Sequence, residues 1–141
     1  MSAEYGNIFR VFFGNQATEQ YINLLNQYIA LFQFLLDAIS KNDTNLINSY
    51  TQQLYQNIAN NAAFFASLNP YWTQAQWQTL LELYTNLQIQ EAQTFLTKDY
   101  TTNINLYDQV LALTMIIGDY FSEGLTNYFL LQLQRPQLPA T

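Results

Sequence analysis

The sequence predicts an all-α fold, an antiparallel four-helix up-down bundle with a short extra N-terminal helix. Three observations predict it. Apolar residues recur at 3-4 spacing over long stretches, the signature of amphipathic helices. Gly is confined to positions 6, 14, 118 and 124 and Pro to 70, 136 and 139, so most of those stretches run uninterrupted. "KNDT", Asn69-Pro70 and "TKDY" punctuate the chain between them. Connections this short make neighbouring helices antiparallel.

The elements follow in order. Residues 1–14 form an arm, with a short helix over 2–13 that ends at Gly14. The first long helix starts near Asn15, a good N-cap type, with Glu19 in its first turns. Ile22, Leu25, Ile29, Phe32, Leu36 and Ile39 make one apolar seam, spaced 3-4-3-4-3. Tyr21, Leu24, Tyr28, Leu31, Leu35 and Ala38 make a second beside it. Two adjacent seams predict a broad buried face.

Asp43 is placed to cap the second helix, which carries Ile47, Tyr50, Leu54, Ile58, Ala62, Phe65 and Leu68. Asn69-Pro70 stops it, because the residue before Pro is pushed out of the α region. "TQAQ" at 73–76 is a capping box that opens the third helix. That helix runs through Trp77, Leu80, Leu81, Tyr84, Leu87, Glu91 and Phe95. The fourth runs from about Tyr100 to Leu133, with Gly118 and Gly124 as kink points. The bundle thus spans 15–133, and 134–141 is a tail. "LLNQYIALF" at 24–32 echoes "LLELYTNLQ" at 80–88, which fits either two duplicated hairpins or coincidence between heptad-like seams.

Composition excludes much chemistry. The chain has 141 residues, enough for one domain with a core. Charged residues make up 10% and aromatics 16%, so amides, hydroxyls and rings replace the usual surface charge. Such weakly charged surfaces repel each other poorly. With no Cys there is no disulfide, thiol nucleophile or thiolate metal site. With no His, the commonest general base and the commonest metal ligand are missing together. Net charge is −6, against the cationic face that nucleic acids and anionic membranes require. No nucleophile–base pair and no Gly-rich phosphate loop is recognisable, which predicts a protein that is not an enzyme and uses no cofactor. No unbroken apolar run approaches the ~20 residues of a membrane span, and no signal peptide is seen. The default expectation is a cytoplasmic protein, with a spore- or cell-surface location as the alternative.

The candidate ligand-binding residues are Glu91, Asp108, Asp119, Tyr28, Tyr84 and Tyr107. Glu91 stands in line with Trp77, Leu80, Tyr84 and Leu87, so it points toward the core. A buried carboxylate must be paired, hydrogen-bonded or protonated. It reads either as a metal or proton ligand, or as a partner of a core Tyr such as Tyr28 or Tyr107. Asp108 and Asp119 share one side of the most apolar helix but lie 11 residues apart, ~16 Å by rise, too far to hold one ion together. No metal site is expected, and a flank facing a neighbouring helix is the plainer reading. The helix-interior Gly118 and Gly124 mark either a close approach or a bend that opens a pocket. The candidate interface residues are Tyr5, Phe9, Phe12 and Phe13 of the arm, Phe34, which falls off both seams, and Trp72.

"EYGNIFRVFFGNQATEQYINLL", "FFASLNP" and "YDQVLALTMIIGDYFSEGL" together resemble a helical-bundle family of Bacillus and related Firmicutes with no established activity. The resemblance covers Glu4 to Phe129. Tyr107, Asp108, Val110, Asp119, Ser122 and Gly124 agree with its last-helix motif, "YDxVHxxILxMADxLSxGI". It implies a four-helix bundle. It also implies that Tyr28, Tyr84 and Leu111 stand where relatives carry His, so Glu91, Asp108 and Asp119 are remnants of a polar stripe. Relatives carry a further N-terminal helix, which implies that one groove of this bundle is open to a protein partner or another copy.

The expected function is a structural or self-associating subunit, a homo-oligomer, filament or coat. The alternative is a small-ligand or cation-binding bundle with an acidic and tyrosine-lined interior.

Overall fold

The computed structural model describes residues 2–134, with side chains from residue 6 onward. Four helices make up an all-α bundle: α1 Ser2–Ser40, α2 Thr44–Leu68, α3 Gln74–Leu96 and α4 Tyr100–Gln134. Cross-helix pairs fix their directions. Asn57 reaches Leu24 while Tyr50 meets Phe34, so α1 and α2 are antiparallel. Tyr55 hydrogen-bonds Asn86 while Phe65 meets Trp77, so α2 and α3 are as well. Asn103 bonds the Glu91 carbonyl while Tyr120 meets Trp77, which sets α4 against α3.

Local chemistry ends each helix. The Asp43 side chain accepts from the Leu46 N–H at 3.1 Å, capping α2. Thr73 accepts from the Gln76 N–H at 3.2 Å, capping α3. The return half of that capping box is not made by Gln76. The Thr73 N–H donates instead to the Tyr120 hydroxyl at 2.9 Å, tying the start of α3 to α4. Asn69 ends α2 and is buried. Its amide donates to the Gly124 carbonyl at 2.9 Å and its oxygen accepts from the Tyr71 N–H at 3.0 Å. Asp99 receives the Thr102 N–H at 3.2 Å where α4 begins.

α1 turns a corner at Gly14, where φ is 85° and ψ is 177°. That region is open to Gly and almost no other residue. Phe9 stacks on Tyr21 with ring centroids 4.5 Å apart. Twelve residues of straight helix would separate them by ~18 Å, so the arm over 2–13 folds back across the bundle end.

Two clusters form the core. Phe9, Ala62, Phe65, Trp72, Trp77 and Leu125 make an aromatic one, and Leu35, Leu54 and Ile58 an aliphatic one. This corrects the expected interface. Phe9 is 1% exposed and Trp72 2%, while Phe12 and Phe13 are half-buried against the same cluster. Phe9 and Trp72 offer no contact surface, and the corner at Gly14 turns part of Phe12 and Phe13 inward. Phe34 is exposed as expected, with its ring against Tyr50. The Tyr5 side chain and the tail from 135 lie outside the described residues.

A second correction concerns α1. Its two seams are not buried alike. Leu35 and Ala38 of the second seam are buried, whereas Ile22 and Ile29 of the first are exposed. The reason is the order of the helices. α2 packs on α1, α3 on α2 and α4 on α3, but the backbones of α1 and α4 stay apart. Leu25 of the first seam lines that gap together with Tyr21 and Tyr28 of the second. By length and composition, Gly6–Ser40 would also suffice to cross a membrane. A search for unbroken apolar runs misses it because Asn and Gln interrupt the segment. Within the bundle its inner side is packed on α2.

Candidate functional site

The gap between α1 and α4 opens into a cavity of about 260 Å³. All four helices line it, with Leu25 and Tyr28 from α1, Ile58 and Asn61 from α2, Leu81 and Tyr84 from α3, and Thr114, Ile117 and Gly118 from α4. Phe9, Tyr21, Phe65, Trp77 and Phe121 close the aromatic end. Among the described residues, no carboxylate, ammonium or guanidinium stands in this wall.

Polar groups interrupt the apolar lining, among them those of Tyr28, Tyr84, Thr114 and Asn61. The hydroxyls of Tyr28 and Thr85 are 2.8 Å apart and share a hydrogen bond. Burial pushes the Tyr28 phenol up to about 12, and the bond to Thr85 offsets part of that rise. Burial also raises Tyr84, with the nearby Glu91 charge adding to it, against a hydrogen bond from Gln88. That bond runs from Gln88 Nε2 to the Tyr84 oxygen at 2.8 Å, which leaves the phenolic hydrogen able to donate. Thr114 turns its hydroxyl to the Val110 carbonyl at 2.8 Å.

The fourth group is Asn61. Its amide nitrogen donates to the Asn57 carbonyl and to Asn57 Oδ1, both at 2.9 Å. Asn57 in turn donates to the Leu24 carbonyl of α1 at 3.2 Å. Two acceptors on one side of the Asn61 amide fix its orientation, since the flipped form would set oxygen against oxygen. Its Oδ1 is therefore turned away from Asn57. Trp77, in the same wall, is 2% exposed, and its indole N–H has no hydrogen-bond partner among the described residues. Trp72 and Tyr120 meet it edge-on at 5.5 and 5.1 Å.

The two glycines of α4 have different roles. A Cβ on Gly124 would lie 1.9 Å from Trp72 Nε1, so this Gly admits the indole. A Cβ on Gly118 would meet nothing within 4 Å, and its place is at the cavity mouth.

The structure brings together only part of the residue set expected from the sequence. Tyr28 and Tyr84 line the cavity. Glu91 does not. It is half-buried in a separate, more open groove with Phe32, Leu36, Phe95 and Asn103. It is also not the partner of a core Tyr. Tyr28 is bonded to Thr85, and Tyr107 is 51% exposed. Asp108 and Asp119 are exposed on the outer side of α4, so they share no interior with Tyr28 or Glu91. Among the described residues no three acidic side chains converge as a metal site requires. Asn57, Asn61 and Thr85 were missed. The signal was present, since Asn57 and Asn61 fall at helical spacing among Leu54, Ile58, Ala62 and Phe65.

The outer side of α4 is the second feature. Ile104, Tyr107, Leu111 and Met115 follow each other at 3-4-4 spacing, and all four are exposed, Met115 at 71%. Phe129 and Leu133 continue the stripe beyond Gly118 and Ser122. Comparison of the chain with protein-family models, with curated proteins and with solved structures finds no match.

Proposed function

We propose that this chain is a non-catalytic, self-associating bundle subunit, and that the outer stripe of α4 is where a second copy docks. The observation that supports the reading most is the stripe itself. A helix apolar on both sides has one side packed on its own bundle and another in need of cover. Two copies related by a two-fold axis would lay this stripe against itself, with Gly118 and Ser122 leaving room for the larger side chains.

Area supports the same reading. The chain exposes 9243 Å². A compact monomer of its mass exposes ~7,500 Å². The excess is spread over the open face of α1 as well as the stripe of α4, and it exceeds the ~800 Å² that one partner gives to a standard interface.

Charge separates a second copy from a different partner. Asp108, Asp119 and Glu123 border the stripe, and α4 has no Lys or Arg. Two copies therefore repel weakly across the seam, and salt strengthens their association by screening it. A basic partner would be weakened by salt. The test is light scattering after size exclusion, over a concentration series at low and high salt. Mass should rise above 16.4 kDa with concentration, more so at high salt, and the double change Leu111→Glu with Met115→Glu should hold the chain monomeric. A monomer at every concentration, or a variant that associates like the wild type, overturns the proposal.

A further inference from the structure

The cavity between α1 and α4 meets the stripe of α4 at Gly118, but its chemistry is different. Three properties define what it can hold. The first is size. A cavity of 150 Å³ accepts benzene, so 260 Å³ accommodates about ten heavy atoms, two fused rings, by the same scaling. The second is charge. Among the described residues the wall contains no ionised group, so a charged ligand would be stripped of water with nothing there to pair with. The third is hydrogen bonding. The Asn61 amide nitrogen donates to the Asn57 carbonyl and to Asn57 Oδ1, which turns the Asn61 Oδ1 to the other side, where it can accept. Asn61 is buried and lines the cavity.

The wall also has the right composition for rings. Phe9, Tyr21, Phe65, Trp77 and Phe121 form one end, and aromatic ligands gain from offset and edge contacts with such rings. Aliphatic Leu25, Ile58 and Leu81 form the rest. The mouth lies beside Gly118, which is exposed, lines the cavity and leaves open space where a Cβ would stand.

We infer that the α1–α4 cavity is a binding site for a neutral two-ring aromatic molecule bearing one hydrogen-bond donor, with Asn61 Oδ1 accepting from that donor. The reading does not depend on self-association, and it is tested on dilute, monomeric protein.

The probes are 2-naphthol, naphthalene and 2-naphthoate, which share a ring system and differ in donor and charge. Trp72 and Trp77 are the two tryptophans of the chain, and Trp77 is in the cavity wall. Tryptophan emission therefore reports binding directly, and a rise in melting temperature reports it independently. 2-Naphthol should change the emission saturably at one molecule per chain and raise the melting temperature. Naphthalene should bind about tenfold more weakly, the worth of one hydrogen bond. 2-Naphthoate should not bind. Asn61→Leu should bring the two neutral probes within about twofold of each other, since the acceptor is gone.

Gly118→Leu guards against a variant that merely misfolds. A Cβ there meets nothing within 4 Å, and the change replaces a helix-interior Gly. It should fold with an unchanged or higher melting temperature and yet lose at least about tenfold in 2-naphthol affinity, as it obstructs the mouth. Absence of saturable 2-naphthol binding overturns the inference. So does equal binding of 2-naphthoate, a naphthol preference that survives Asn61→Leu, or undiminished affinity in a folded Gly118→Leu.

Discussion

One substitution, made at two positions of one helix, should move stability in opposite directions. Gly118 and Gly124 both sit inside α4, where each Gly costs ~1 kcal/mol relative to Ala. Gly118→Ala adds a methyl that touches nothing within 4 Å, so the propensity gain stands alone. It should stabilise the protein by ~0.5–1 kcal/mol. Gly124→Ala adds a methyl 1.9 Å from Trp72 Nε1, 2.5 Å from Cδ1 and 2.8 Å from Cε2. The indole cannot yield freely. It is 2% exposed, stacked at 5.2 Å on Phe121, and held by its N–H to the Tyr120 carbonyl at 3.4 Å. Overpacking of this kind costs ~1–3 kcal/mol. Any shift of α4 away from Trp72 also strains the bond from Asn69 to the Gly124 carbonyl, worth ~1 kcal/mol. Set against the propensity gain of ~1 kcal/mol, the net loss is ~1–3 kcal/mol. Urea unfolding followed by far-UV circular dichroism measures both. With a slope of about 2 kcal/mol/M, the two midpoints should separate by roughly 1–2 M. Midpoints that move the same way, or a Gly124→Ala variant as stable as the wild type, would refute the claim that Trp72 fixes the approach of α4.

Two further outcomes follow from buried polar groups. Asn69→Ala removes the bonds to the Gly124 carbonyl and the Tyr71 N–H; it should cost ~2–3 kcal/mol in the same urea assay, and a loss below 1 kcal/mol would refute a role in joining α2 to α4. Tyr28 sets an alkaline limit. The folded protein keeps its phenolic proton to about pH 12, whereas an unfolded Tyr releases it near 10. Stability from this group is complete below pH 10 and falls between 10 and 12, by up to ~2–3 kcal/mol. Tyr84, shifted in the same direction, adds to the slope. Urea midpoints from pH 8 to 11.5 should fall more gently in Tyr28→Phe than in the wild type. That variant should also lose ~1–2 kcal/mol at neutral pH, as the buried Thr85 hydroxyl loses its partner.

Local signals were legible in the sequence. Asp43, Thr73 and Asn69-Pro70 act through their own backbone neighbours, so a few residues suffice to place them. The fold class was legible for a similar reason, since periodicity is a property of each helix alone. Which seam of α1 is buried was not. Periodicity shows that a face exists, and only the order of packing shows which face α2 covers and which it leaves exposed. The arm was misread on the same ground. Phe9, Phe12 and Phe13 look alike in sequence whether the arm projects or folds back, and the dihedral at Gly14 decides between the two. Tyr28 and Tyr84 were legible as interior polar groups. Asn61 was not, because a polar residue at core spacing was passed over in favour of its apolar neighbours. Glu91 was the reverse case. Its spacing pointed inward, but the end of the bundle it occupies is open.

The corner at Gly14 also keeps the rings of the arm on their own bundle. If that residue took helical dihedrals, α1 would become a single rod of ~58 Å. Phe9 would leave its place among Tyr21, Phe65 and Phe121, and the arm would project beyond its own bundle. The vacated socket would then fit the arm of a neighbour, which carries the same rings in the same order. Reciprocal exchange would join two chains without any new interface chemistry. A single glycine thus holds Phe9 in the core of its own chain.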